Sequence, residues 1–211
     1  MNILAFDTAF AAVSACVARD GEVLAWRRVE MARGHAEALL PMIGEVLAEA
    51  GIEAQALTRV ATTLGPGHFT GLRAGLAAAQ GLGLATGARL VGITSFAAIA
   101  AGLEPLLAGE RRLIALDSKR AEAFVALDDE TVFAASPVGF EPEGDAFLVA
   151  GDRAAEFAAA LASAGKQARI AAGPALPDAR ALARLARTAE PVGRLVPLYI
   201  HPPATTAPKR P

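Results

Sequence analysis

The residues 63–73, Thr63-Leu64-Gly65-Pro66-Gly67-His68-Phe69-Thr70-Gly71-Leu72-Arg73, have the spacing best suited to chemistry in this chain. A strand-like run from Arg59 to Leu64 feeds a glycine-proline-glycine turn, and a helix-like run follows from about His68 to Thr86. Glycines let the backbone turn sharply and come close to another group. The first amides of a helix, backed by its dipole, can hold an anion. The same geometry packs one backbone tightly against a neighbour, and the residues leave both readings open. A second candidate is Asp7-Thr8, where the apolar run Ile3 to Phe6 reads as a strand ending in a carboxylate.

Other catalytic chemistry finds little support. His35, His68 and His201 are the only histidines, and none has a partner at metal-ligand spacing. His35 reads as a helix-start residue. His68, at a helix N-terminus, could donate to an anion. Cys16 lies in an apolar strand-like run, excludes an internal disulfide and has no neighbours that would lower its pKa. No catalytic residue and no metal ligand is assigned.

These residues must be positioned by a chain of 211 residues that is 54% hydrophobic and carries a net charge of -2. That is enough for a sizeable core. The interspersed charges leave no basic footprint for nucleic acid. The N-terminus reaches Asp7 too early for a signal peptide, and the apolar stretch from Leu72 to Ile99 is broken by arginines and glycines. A soluble, cytoplasmic protein without membrane contact is expected.

Val13 to Ala18 and Glu22 to Val29 read as strands joined at Asp20-Gly21. A helix from about Gly34 to Ala50 follows, with Pro41 expected to kink it and Gly51 to stop it. Arg89 to Ile93 is a further strand, and Ser95 is expected to cap a short helix. After Gly102 the pattern restarts. Leu113-Ile114-Ala115-Leu116-Asp117-Ser118 echoes Ile3-Leu4-Ala5-Phe6-Asp7-Thr8, and Ala126 to Phe133 echoes the hairpin at Asp20. The expected plan is α/β and duplicated, each half opening with an antiparallel three-strand meander. The halves would be 1–102 and a smaller 103–200, with 201–211 a Pro-rich, disordered tail.

Such a duplication resembles the actin, sugar-kinase and heat-shock-chaperone superfamily, with its ribonuclease H-like halves. That resemblance implies that Asp7-Thr8 and Asp117-Ser118 form two cleft-facing turns near nucleotide phosphates. A closer resemblance is to the TsaB (YeaZ) family of tRNA threonylcarbamoyladenosine biosynthesis. It rests on Ile3 to Thr8, on His35 with Leu39-Leu40-Pro41-Met42-Ile43, on Gly65 to Arg73, and on Leu116 to Arg120 with Glu122. The chain departs from the family pattern at His68, at Ser118-Lys119 and at Tyr199-Ile200-His201.

The resemblance implies a non-catalytic subunit that supports a paralogous TsaD-like transferase. In that paralogue two histidines four residues apart hold a metal; here Ser95 and Ile99 stand in their places. It also implies an ATPase partner of the TsaE type, a homodimer in isolation, and contact with tRNA only through the complex. The surface expected to meet the partner comprises His35, Leu39, Met42, Ile43 and Val46, together with Phe69, Gly71, Leu72, Gly75, Leu76, Ala79 and Gly83. Within it Gly71, Gly75, Ala79 and Gly83 form a stripe of small residues. Such a stripe admits a neighbouring helix, either a partner's or the chain's own. No cofactor is expected to bind tightly. ATP or ADP, held weakly or at the partner interface, would touch Asp7, Thr8, Gly65, Gly67, His68 and Thr70. The alternative is an ATP-binding phosphotransferase or ATPase of the kinase-like superfamily, with Asp7 and Asp117 in the cleft.

Overall fold

The computed structural model describes residues 1–128 and 131–200. Its first sheet begins with a meander, β1 (Asn2–Phe10), β2 (Ala12–Arg19) and β3 (Glu22–Glu30). The turn between β2 and β3 has positive φ at both Asp20 (53°) and Gly21 (99°), which suits a tight hairpin. Helix α1 (His35–Ala50) then leads to β4 (Arg59–Gly65), α2 (Phe69–Thr86), β5 (Arg89–Thr94) and the short α3 (Ser95–Ala100). The strand order is β3-β2-β1-β4-β5. The meander is antiparallel, while β4 and β5 run parallel to β1.

The second sheet repeats this plan with β6 (Glu110–Leu116), β7 (Ala123–Leu127), β8 (Thr131–Ala135), β9 (Ala146–Ala150) and β10 (Gln167–Ile170). Its order, β10-β9-β6-β7-β8, is the same order read from the other edge. Asp128 has φ 53°, as Asp20 does at the matching hairpin. Helix α4 (Ala154–Ser163) separates β9 from β10, and α5 (Ala179–Ala186) follows.

Each layer follows from side-chain alternation. On one face of the first sheet, Leu4 and Phe6 meet Leu39, Ile43, Val46, Leu72 and Leu76 from α1 and α2. On the other, Ile3, Ala5, Cys16 and Ala18 meet Ala179, Leu182, Ala183 and Ala186 of α5. The last helix therefore packs on the first sheet, and the chain behind it stays there. Arg59 Nη1 donates to the carbonyl of Ala189 at 2.6 Å, Val192 N to Leu90 O at 2.8 Å and Leu198 N to Leu64 O at 2.7 Å. Cys16 is buried, as a small core residue should be.

Two local expectations are corrected. Thr94, not Ser95, caps α3, because the Thr94 side chain accepts from Ala97 N at 3.1 Å. Asp7 does not end its strand: β1 continues through Thr8 and Ala9 to Phe10. The extension is held by Ala9, whose carbonyl accepts from His68 N at 2.7 Å. The expected disordered tail, His201 included, lies outside the described residues.

Candidate functional site at the junction of the two sheets

The glycine-proline-glycine turn is built by close approach. A Cβ on Gly67 would lie 2.7 Å from Ala9 Cβ, and one on Gly65, where φ is 110°, 2.8 Å from Leu198 O. One turn into α2, a Cβ on Gly71 would stand 2.1 Å from Thr8 O, and one on Gly75 2.6 Å from Thr8 Oγ1. Thr8 Oγ1 donates to Gly71 O at 2.7 Å. The glycines thus let α2 lie directly on the end of β1. Gly71, Gly75 and Ala79 are buried. A Cβ on Gly83 would meet Leu90 at 2.6 Å. The stripe faces this chain's own sheet, so of the two packings open to it these residues take the internal one. Leu39, Met42, Ile43, Val46, Leu72 and Leu76 are likewise buried in the core.

Asp7 is sealed inside this packing. It pairs across the ladder with Ser14, whose Oγ accepts from Ala179 N of α5 at 3.1 Å. Cross-strand partners share a face, so Asp7 lies on the side covered by α5. Thr63 Oγ1 donates to Asp7 Oδ1, and Ala9 N donates to the same oxygen at 3.3 Å. Burial pushes the carboxyl up to about 6, against the opposing pull of the Thr63 hydroxyl. Asp7 therefore does not front a cleft, whereas Thr8, buried as it is, still borders a cavity at the starts of α1 and α2.

The polar groups that do meet across the junction come from both halves. His68 Nε2 lies 4.0 Å from Asp117 Oδ2, and Lys119 Nζ lies 2.8 Å from the same oxygen. Asp117 N donates to Asp152 Oδ1 at 2.8 Å, and Arg153 Nη1 stands 3.9 Å from Asp117 Oδ1. Partial burial raises the Asp117 carboxyl, but hydrogen bonds from Lys119 and the Lys119 and His68 charges outweigh it, leaving it below its usual range. Burial, and next the Lys119 charge, lower the His68 imidazole; Asp117 opposes them. The His68 ring packs edge-on against Phe10 with centroids 5.2 Å apart, and His35 Nε2 donates to Phe10 O at 2.6 Å.

Beside this cluster a cavity of about 430 Å³ opens between the starts of α1 and α2, lined by Arg33, His35, His68, Thr70 and Lys119 among others. Of the residues expected to touch a nucleotide, Thr8, His68 and Thr70 line it, and Asp7, Gly65 and Gly67 do not. Lys119 is brought there by a left-handed turn with φ 60°. The sequence contained Lys119 within the Asp117 motif, but gave no signal that it faces the start of α2. Asp152 and Arg153 join the cluster without having been expected there. A further group was not anticipated: Phe69 stacks on Tyr199 at 6.0 Å, Arg73 lies 3.7 Å over the Phe69 ring, and Arg73 Nε donates to Tyr199 Oη at 2.9 Å.

The positions of the expected missing metal ligands are filled by structure. Ser95 Oγ donates to Pro66 O at 2.7 Å, tying α3 to the turn, and Ile99 is fully buried. Among the described residues no cluster of three or more His, Cys, Asp or Glu side chains could hold a metal ion. Nor, among them, is any helix long and apolar enough to cross a membrane.

The duplicated strand order, with a final helix crossing onto the first sheet, defines a ribonuclease H-like α/β protein of the actin and sugar-kinase type. A family model described as TsaD, tRNA N6-adenosine threonylcarbamoyltransferase, matches residues 29–136. An uncharacterized protein of Mycobacterium tuberculosis is 35% identical over 208 residues, covering 96% of this chain and 92% of that protein. The tRNA threonylcarbamoyladenosine biosynthesis protein TsaB of Escherichia coli is 34% identical over 126 residues, which cover 60% of this chain and 54% of that protein. The structure of YeaZ from Pseudomonas aeruginosa superposes with a TM-score of 0.76 at 25% identity, over 94% of this chain and all of that one. The chain belongs to the TsaB (YeaZ) family.

Proposed function

We propose that this chain is a non-catalytic subunit for threonylcarbamoyladenosine modification of tRNA, docking to and activating a TsaD-like transferase. The observation that carries the reading is the filling of the positions where a catalytic carboxylate and the metal ligands were expected. Asp7 is sealed by Thr63 and α5, the turn glycines are closed on Ala9 and Leu198, Ser95 holds Pro66, and Ile99 lies in the core. The name of the Escherichia coli relative and the TsaD family match support the pathway.

The docking surface we infer is the outward side of α1 and α2, not the buried stripe. Leu40 is 58% exposed, Phe69 48% and Leu84 90%. Between them Gly44 and Gly81 have open space where a side chain would be. Exposed apolar side chains around small residues suit close packing of partner helices. A TsaE-type ATPase would join this pair, tRNA would be held mainly by the partner, and ATP or ADP would sit at the joint surface rather than against Asp7.

The test is assembly with a TsaD-like protein of the same organism. Leu40→Arg and Gly81→Arg should each leave the chain folded and reduce complex on size exclusion. Complexes that survive both changes undiminished would reject this docking surface.

A further inference from the structure

The four outer strands of the two sheets are protected unequally. Edge β3 carries Arg27, Arg28 and Glu30. Edge β5 is met by the returning chain, with Val192 N donating to Leu90 O at 2.8 Å. Edge β10 is short, and its Arg169 is held by Glu110 and Glu104 at 2.6 and 2.9 Å. Edge β8 reads Thr-Val-Phe-Ala-Ala, without charge or proline, and among the described residues it pairs only with β7. Exposed strand edges are normally blunted by charge, proline or cover, because their free amides and carbonyls recruit other strands. This one is bare.

Beside it runs a groove of about 560 Å³, lined by Leu127, Phe133, Ala135, Val138 and Phe140. Its wall is the segment 136–143, anchored by Phe140, which stacks on Phe133 at 6.4 Å and meets Phe157 edge-on at 5.0 Å. Val138 remains 87% exposed at the lip. The rim is acidic: Glu141 and Glu143 are exposed. Arg111, the cation lining the groove, is held by Asp128 at 2.7 Å and by Glu143 O at 2.6 Å.

We infer that the β8 edge and its groove take an extended segment of a partner chain, alternating apolar and basic residues, as an added strand. The strand amides and carbonyls would supply the ladder, the apolar side chains would enter the groove at alternate positions, and the basic ones would face the acidic rim. A second copy of this chain fits worse, since pairing two β8 edges would bring like-charged rims together. The segment 201–211 also fits worse: its four prolines cannot donate to a ladder.

The test uses the full chain and short peptides alternating valine with lysine or valine with glutamate, followed by fluorescence anisotropy and amide hydrogen exchange. The lysine peptide should bind at least about tenfold more tightly than the glutamate peptide and slow exchange at 132–135. Ala134→Pro should abolish binding, and a Glu141→Lys, Glu143→Lys double variant, which leaves the strand intact, should reverse the preference. Equal or absent binding of both peptides would overturn the proposal. So would protection, in the free chain, of the β8 amides that do not bond to β7, or a dimer that Ala134→Pro dissolves.

Discussion

Asp7 and Asp117 stand at matching places in two sheets of the same strand order and meet opposite fates. In the first sheet β1 runs on past Asp7 to Phe10 and β4 on to Gly65, so the carboxyl is enclosed by Thr63, Ser14 and α5. In the second, β6 stops at Leu116 and β9 at Ala150, which leaves Asp117 at a strand end among Lys119, Arg153 and His68. One carboxyl is raised by burial, while the other is lowered by its cationic neighbours. A few residues of extra strand thus separate a packed end from a polar one, and the same motif need not perform the same task in both copies.

The strongest way to break this contrast is at the glycines. Gly71→Ala places a Cβ 2.1 Å from Thr8 O, and Gly151→Ala one 2.0 Å from Ala115 O at φ 102°. Each should cost about 3 kcal/mol or more, read as a lower urea midpoint. A tolerated Gly71→Ala would mean that α2 does not rest on β1.

Next comes Asp7→Asn. A carboxyl raised from 3.8 to about 6 binds its proton more tightly when folded, so stability falls as pH rises from about 4 to about 6 and stays reduced above. The amide removes that loss and should add about 1–3 kcal/mol at pH 7.5, flattening the pH profile of unfolding. Asp117→Asn should have the opposite sign and be smaller, under about 1 kcal/mol, because a lowered carboxyl stabilises above its unfolded pKa and loses that effect only in acid. Equal profiles for the two variants would erase the distinction between the sheets.

Smaller again, Gly81→Ala fills open space on the outward side of α2 and should stabilise by about 1 kcal/mol. Least of all, Lys119→Ala should leave stability nearly unchanged but move the His68 titration to higher pH, followed by its ring resonances, because it removes a cationic neighbour.

The meander, the alternation of helices and strands and the internal duplication were legible because strand periodicity, the Asp20-Gly21 turn and the Gly51 stop are local signals. The importance of the glycine-proline-glycine block was legible too, but its purpose was not. Whether a glycine faces an anion or a carbonyl depends on what lies across from it, and here that is Thr8 and Ala9, distant in sequence. The crossing of α5 onto the first sheet was hidden for the same reason, and with it the sealing of Asp7. The exposure of β8 is a property of sheet order, which no five-residue stretch records.

The most direct test of the account is reconstituted modification of tRNA by a TsaD-like transferase and a TsaE-type ATPase, with and without this chain. Modified adenosine should form only when the chain is present, and Asp7→Asn should support it as well as the unaltered protein. Full modification without the chain, or loss of it in Asp7→Asn with folding intact, would contradict a subunit in which Asp7 is sealed away from any substrate.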